Sequence, residues 1–318
     1  MEISWDQISR SDWQALSPRG FAMQHAWAYG DAMGGLGAGA HRAQVTANGQ
    51  PIALAQLLLR RRAGITIALM PRGPLWLADL SYNHRRTVLR LIRKTLPTGR
   101  PKLLLCAEET DAPCGPALMT GQTLAELDLT QSPENLRAAM HGKWRNRLVR
   151  AEATGLTIQS KPVHPSDVAW LLQHDSEQQT RQGYRSLPHS FLTHWQNAGG
   201  KMQLFTARQG NQRIAAMLFL RHAPGATYHI GWSSEQGREC NAHNLILWRA
   251  MLALRKTCQR LDLGQIDTVN APGLARFKLG AGATPRRLGP TRLVLPAFAI
   301  LPRRRSQPAG ITRTGTAL

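Results

Sequence analysis

The sequence predicts an α+β chain in which a strand–helix alternation runs twice, and three observations carry that reading. Its length, 318 residues, suffices for about two domains, each able to bury a core. Its periodicity switches repeatedly between the two-residue alternation of strands and the 3.6-residue recurrence of helices. Its turn residues, among them Ala63-Gly64, Gly210-Asn211 and Pro224-Gly225, fall between the apolar runs, where hairpins need them.

Taken in order, Pro51 to Arg60 and Ile65 to Met70 read as a hairpin closed by Pro71-Arg72-Gly73-Pro74. Asn83 to Leu96 follows as an amphipathic helix, with Val88, Leu91, Ile92 and Leu96 on one face, and Lys102 to Cys106 is a short apolar strand. Ser132-Pro133-Glu134 carries a helix start, Ser as N-cap and Pro in the first turn. Leu136, Met140, Trp144 and Leu148 then repeat every four residues, so one helix is expected as far as Gly155. Lys143, Arg145, Arg147 and Arg150 fall on its other faces, as a solvated basic surface or an anion-binding one. In the second half, Leu156 to Ser160 reads as a strand, and Pro165 to Gln182 and Leu187 to Asn197 as helices. A meander follows over Met202 to Arg208, Arg213 to Arg221 and Ala226 to Trp232. Then come a helix over Asn244 to Cys258, a strand over Leu261 to Leu263, a helix over Gly273 to Leu279 and a last strand over Arg292 to Leu295. The expected domains are 1–155, with the strand near 290–300 a candidate to complete it, and 156–290. Residues 302–318, basic and turn-rich, are expected to be a mobile tail.

Composition narrows the partners. Lys and Arg number 40 against 19 Asp and Glu, a formal charge of +21, while 42% hydrophobic residues exclude a disordered polycation. Nothing acidic follows Asp267, and the stretch from Arg60 to Lys102 contains only Asp79. Such charge suits RNA, an acidic membrane surface or a phosphorylated substrate. The four cysteines lack a framework or a C-x-x-C, which fits unpaired thiols and a reducing compartment. No apolar run approaches the ~20 residues of a spanning helix, and the amino terminus lacks a signal-peptide pattern. A cytoplasmic protein is expected, with peripheral contact to the inner face of the membrane as an option.

The order β, α, α, β, β, β, α, β, α, β of the second half is similar to the GNAT acyltransferase layout, and the first half resembles a partial copy. Several stretches resemble, in register, the FemABX family of aminoacyl-tRNA-dependent transferases. They are Gln24-His25-Ala26-Trp27-Ala28-Tyr29-Gly30, Pro71-Arg72-Gly73-Pro74-Leu75, and Trp144-Arg145-Asn146-Arg147-Leu148-Val149-Arg150-Ala151-Glu152. Further along come Thr180-Arg181-Gln182-Gly183-Tyr184, Tyr228-His229-Ile230-Gly231-Trp232-Ser233, Asp262-Leu263-Gly264 and Gly273-Leu274-Ala275-Arg276-Phe277-Lys278. Tandem GNAT-like domains are the fold that this resemblance implies.

It also implies a reaction in which an amine attacks the ester carbonyl of an aminoacyl-tRNA, giving an amide and free tRNA. Such an ester is already activated, so orientation and oxyanion stabilisation matter more than a covalent nucleophile. By resemblance, Lys278 would supply the stabilising charge and Phe277 would pack beside it. Asp262 is a second catalytic candidate, a carboxylate that could take the ammonium proton or hold the amine, or else cap a turn before Gly264. Asp267 is an alternative of the same kind. Arg181, Tyr184 and Arg185 would lie beside the acceptor's phosphates and Tyr228 beside the substrate, while Lys143, Arg145, Arg147 and Arg150 would meet the tRNA backbone. One departure concerns the acceptor: where many cell-wall members carry a phosphate-binding lysine, this chain has Met33, followed by Gly34-Gly35-Leu36-Gly37-Ala38-Gly39, which reads as a flexible loop.

Other chemistries find less support. The stretch Arg238 to Asn244, where a CoA-dependent GNAT enzyme presents a glycine-rich pyrophosphate turn, contains no glycine and includes Glu239. No H-E-x-x-H or Cys/His ligand cluster occurs, so no metal is expected, and no G-x-S-x-G elbow occurs, so nucleophilic hydrolysis finds no support; no cofactor is expected either. The expectation is an aminoacyltransferase, a monomer, acting on a cell-wall precursor, a peptide or an amino-lipid. The alternatives are an N-acyltransferase using acyl-CoA or another thioester, and a non-catalytic RNA- or membrane-surface adaptor.

Overall fold

The protein is described from a computed structural model that covers residues 1–17, 22–99, 102–108, 115–222 and 224–296. The expected tail at 302–318 lies outside the described residues. The first half runs β1 (Glu2–Trp5), α1 (Arg10–Leu16), a 3-10 turn (Met23–His25), α2 (Trp27–Gly35), β2 (Gly39–Ala47), β3 (Gln50–Arg62), β4 (Ile65–Arg72), β5 (Leu75–Trp76), α3 (Tyr82–Thr95), β6 (Lys102–Glu108) and β7 (Ala117–Met119). Next come β8 (Thr123–Asp128), α4 (Pro133–Ala138), α5 (Gly142–Glu152), β9 (Thr157–Pro162), a 3-10 turn (Pro165–Val168), α6 (Ala169–Gln182) and α7 (Ser190–Asn197). The chain continues through β10 (Lys201–Gln209), β11 (Gln212–Arg221), β12 (Gly225–Ser233), α8 (Glu235–Glu239), α9 (Ala242–Leu254), β13 (Arg260–Gln265), α10 (Pro272–Gly280), β14 (Thr284–Arg287) and β15 (Thr291–Leu293).

These strands form two sheets, ordered β1-β2-β3-β4-β6-β15-β7, with β5 on β3, and β14-β8-β13-β12-β11-β10-β9. The sheets do not divide the chain at residue 155. β8, α4 and α5 already belong to the second sheet and its core, whereas β15 returns to pair with β6 and β7 in the first. The central strands of each sheet are buried on both faces. α3 covers the outer face of the first sheet through Val88, Leu89 and Ile92, and α5 and α9 cover the outer face of the second. Between the sheets lies a shared core in which Trp13, Tyr29 and Leu54 from the first half pack with Phe191, Trp195 and Leu218 from the second.

Three expectations change on contact with this packing. The single helix expected from Pro133 is two, because the His141 N–H donates to the Gly280 carbonyl at 3.0 Å and the chain restarts at Gly142; Leu136, Met140, Trp144 and Leu148 are nonetheless all buried. The helix expected from Pro165 opens with a 3-10 turn before α6 begins at Ala169. Gly34 and Gly35 are helical and not part of a loop: a Cβ at Gly35 would stand 2.2 Å from the His194 ring, so glycine there is what lets α2 lie against α7.

The feature that makes a site is a fork in the second sheet. β12 and β13 run parallel and pair only at Gly225–Thr227 with Arg260–Asp262. Beyond that point β12 stays on β11, and β13 bulges against β8. Among the described residues no helix is long and apolar enough to cross a membrane.

Candidate functional site

Where the strands part, the Asp262 Oδ1 accepts the Gly264 N–H at 2.7 Å, and Gly264 takes φ +80°. A left-handed residue at this point turns the Gln265 carbonyl inward, where Lys278 Nζ donates to it at 2.8 Å. Lys278 reaches that carbonyl from α10 and is only 5% exposed. Met217, Tyr228, Leu247, Leu263, Leu274 and Phe277 line a narrow apolar pocket with it. Burial pushes its pKa down to about 8, against the opposing pull of the Asp262 carboxylate. Phe277 packs between the rings of Trp144 and His243, at centroid distances of 5.9 and 6.2 Å. Burial also raises the Tyr228 phenol well above its ordinary value, so it is neutral at any physiological pH.

The first half enters the site through Arg72. Its Nη2 donates to Asp262 Oδ2 at 3.4 Å and its Nε to Gln24 Oε1 at 3.4 Å, while the Arg72 carbonyl lies 3.2 Å from His25 Nε2. Arg72 also holds φ +68°, a conformation that costs a non-glycine residue about 1 kcal/mol or more. These tertiary bonds stabilise it there. By sequence alone Pro71 to Pro74 is a turn closing a hairpin and Arg72 has no distinct role, because its partner lies 190 residues away. The signal was available only as an arginine in a turn of the kind that favours glycine.

A second polar cluster surrounds Asp175, which is 6% exposed. Its Oδ2 is 2.8 Å from His189 Nε2 and accepts from Gln179 Nε2 at 2.6 Å, and its Oδ1 accepts from the Tyr184 hydroxyl at 3.3 Å. Burial and this carboxylate raise the Tyr184 phenol. Asp175 and His189 are not legible as a pair in the sequence, because i, i+14 spacing across a helix end carries no signature. Arg181 and Arg185 are exposed on either side of Tyr184.

The structure therefore brings Lys278, Phe277, Asp262 and Tyr228 together and leaves Tyr184 in the neighbouring cluster. Asp267 is half-buried and held by its own turn, accepting the N–H groups of Val269 and Asn270 at 3.0 and 2.7 Å. Lys143, Arg145, Arg147 and Arg150 are exposed on α5, whose inner residue Trp144 is the one that touches Phe277. The basic surface is thus the back of a wall of the pocket. Met33 packs against the shared core. Cys240 and Cys258 are free thiols, and among the described residues no group of three His, Cys, Asp or Glu side chains is placed to hold a metal ion.

Comparison with known proteins supplies the fold's relatives. Residues 138–283 match the acetyltransferase (GNAT) domain family. The crystal structure of FemX superposes with a TM-score of 0.74 at 13% identity, covering 92% of this chain and 96% of that one. A conserved Bacteroides thetaiotaomicron protein of unknown function follows at 0.59 and 12%, covering 92% and 100%. The C-terminal domain of an Agrobacterium fabrum protein, provisionally named a lysylphosphatidylglycerol synthetase, superposes at 0.51 and 14%, covering 89% and 92%. No curated protein sequence matches the chain.

Proposed function

From the premise that this chain has a FemABX-like tandem GNAT fold, we propose that it is an aminoacyltransferase, moving an amino acid from aminoacyl-tRNA to an amine acceptor. The observation that carries the proposal is the buried lysine at the fork, backed by a wall whose outer face is basic. The acceptor nitrogen attacks the ester carbonyl, and the C–N bond forms as the carbonyl oxygen becomes an oxyanion. Lys278, still mostly protonated at neutral pH with its pKa near 8, supplies a cation in an apolar pocket where charge is weakly screened. Collapse of the intermediate breaks the ester C–O bond, and the tRNA 3′-hydroxyl leaves with the proton lost by the amine. A single oxyanion donor is worth roughly 3 kcal/mol, or about a hundredfold in rate.

Asp262 accepts from both Arg72 and Gly264, so we assign it to positioning: it holds the turn that presents Gln265 to Lys278 and ties the first half to the site. Tyr228 and Phe277 shape the pocket, and Arg181, Tyr184 and Arg185, exposed beside the Asp175 cluster, would receive an anionic group of the acceptor. Lys143, Arg145, Arg147 and Arg150 would draw the tRNA backbone to α5 by counterion release. The names of two structural relatives support this reading. FemX is the match with the higher TM-score, and a lysylphosphatidylglycerol synthetase joins an amino acid to a lipid. A cell-wall precursor, a peptide and an amino-lipid are the acceptor classes to test, each with peripheral membrane contact as an outcome.

The test is incubation of the protein with a pool of charged tRNAs and a cell extract, following which amino-acid label becomes stable to alkali. Label that stays alkali-labile with every acceptor overturns the proposal. The match to an acetyltransferase domain favours one second reading, an acyl-CoA donor. Against it stand the glycine-free entry to α9 and Asn241 at its N-cap, left-handed at φ +53°. Saturable binding of acetyl-CoA with no binding of charged tRNA would select that reading.

A further inference from the structure

Away from the fork, α1 and the start of α2 face the beginning of β10 and the end of β11 across a cleft of about 190 Å³. Arg10, Lys201 and Arg221 line it, and among the described residues no Asp or Glu does. None of the three takes part in an ion pair with a described residue; Arg221 is steadied by a 2.9 Å bond from its Nη2 to Thr257 Oγ1, and Arg10 and Lys201 are exposed. Three cations sharing one cleft repel each other, an arrangement that a bound anion relieves.

The cleft is also built for them. Gly199, at φ +79°, leaves the space that the Arg10 guanidinium fills: a Cβ there would stand 3.0 Å from Arg10 Nη2. A Cβ at Gly200 would stand 2.3 Å from the Trp195 indole, so the same pair of glycines lets the turn close over that ring. Trp13, Trp27 and Trp195 give the cleft apolar walls, with Trp13 and Trp27 edge-on at 6.1 Å. Charge on one side and flat apolar walls on the other select a ligand with both characters. More than one cation favours a dianion over a carboxylate, and the volume suits a group of amino-acid size, smaller than a nucleotide.

We propose that this cleft binds a small soluble phosphate monoester carrying a planar or apolar group, at a site separate from the Lys278 pocket. The two halves of the chain meet there, Arg10 coming from the first and Lys201 and Arg221 from the second. Ligand binding would therefore bridge them. The inference stands without the aminoacyltransferase reading, since it uses none of that site's residues.

Titration calorimetry with phenyl phosphate, on the full chain, tests it. Wild type is expected to bind saturably at one site, while phenol gives no heat of binding. Arg10→Glu with Lys201→Glu should weaken binding by at least about tenfold, as loss of charge-assisted bonds does. Arg86→Glu with Lys94→Glu, an equal change of charge on exposed residues of α3, should leave affinity within about twofold. The proposal is overturned by the absence of saturable binding, or by equal losses in the two double variants, which would mean that overall charge alone attracts the phosphate. Both pairs are exposed, and circular dichroism verifies that each variant is folded.

Discussion

Lys278 combines two properties that a surface lysine does not have: its ammonium has one strong acceptor, the Gln265 carbonyl at 2.8 Å, and little water. Its pKa is depressed to about 8, so activity that needs the ammonium should decline as pH rises through about 8. In a pH–rate profile, Lys278→Arg should move that limb upward, because guanidinium keeps its charge. Lys278→Ala should lower transfer about a hundredfold with the fold intact; a wild-type rate would remove the lysine from the chemistry. Linkage gives a second readout. The folded lysine releases its proton near pH 8 and the unfolded one near 10.5, so its favourable contribution to stability is complete only above 10.5 and is lost as pH falls through 8. Lys278→Met should therefore raise the melting temperature relative to wild type at pH 7, and this advantage should shrink between pH 8 and 10.5. Phe277-Lys278 and Asp262-Leu263-Gly264 were legible as local patterns. The depressed pKa was not, because it comes from Met217, Leu247 and Leu274 packed around the amine.

Between the residue and the molecule stands the turn after β13. Gly264 has φ +80°, and a Cβ there would approach Lys278 Nζ to 3.6 Å, ordinary contact, so backbone strain is the main effect expected of a side chain. Gly264→Ala should cost about 1 kcal/mol of stability in a denaturant titration and reduce transfer more than any change in binding explains. Loss of stability with full activity would show that the turn does not place Lys278. Helix and strand identities at this scale were widely legible: α3, α9, β3, β4 and β10 to β12 all lie where apolar periodicity puts them. β2 and β8 were not. Gly-Ala-His-Arg-Ala-Gln-Val-Thr-Ala and Thr-Leu-Ala-Glu-Leu-Asp have too little β-branched content to declare strands. They become strands because β1 and β3 flank the first, and β13 and β14 the second.

At the scale of the whole molecule, the two halves are joined by their shared core and by the buried Arg72–Asp262 pair, each partner under a tenth exposed. Removing one partner of a buried pair costs about 3–5 kcal/mol because the other charge is stranded. Arg72→Met and Asp262→Asn should each fall in or just below that range, the 3.4 Å geometry being long, and the double variant should cost less than their sum in a double-mutant cycle. Strict additivity would show that the pair does not couple the halves. Charge acts over the same scale. Replacing Lys143, Arg145, Arg147 and Arg150 by alanine should reduce the slope of log affinity for tRNA against log salt by up to about 3; an unchanged slope would place the RNA elsewhere.

By itself the sequence determined the alternation of elements, the basic excess and the short patterns that resemble the FemABX family, all of which are local or compositional. Only the tertiary structure decided which strand joins which sheet, that the inner face of α5 sets Trp144 against Phe277, and that Arg72 meets Asp262 across 190 residues. The physical reason is range. Propensity and periodicity are written within a turn or two of chain, whereas burial, left-handed backbone at Arg72 and the pKa of Lys278 depend on groups brought together from both halves.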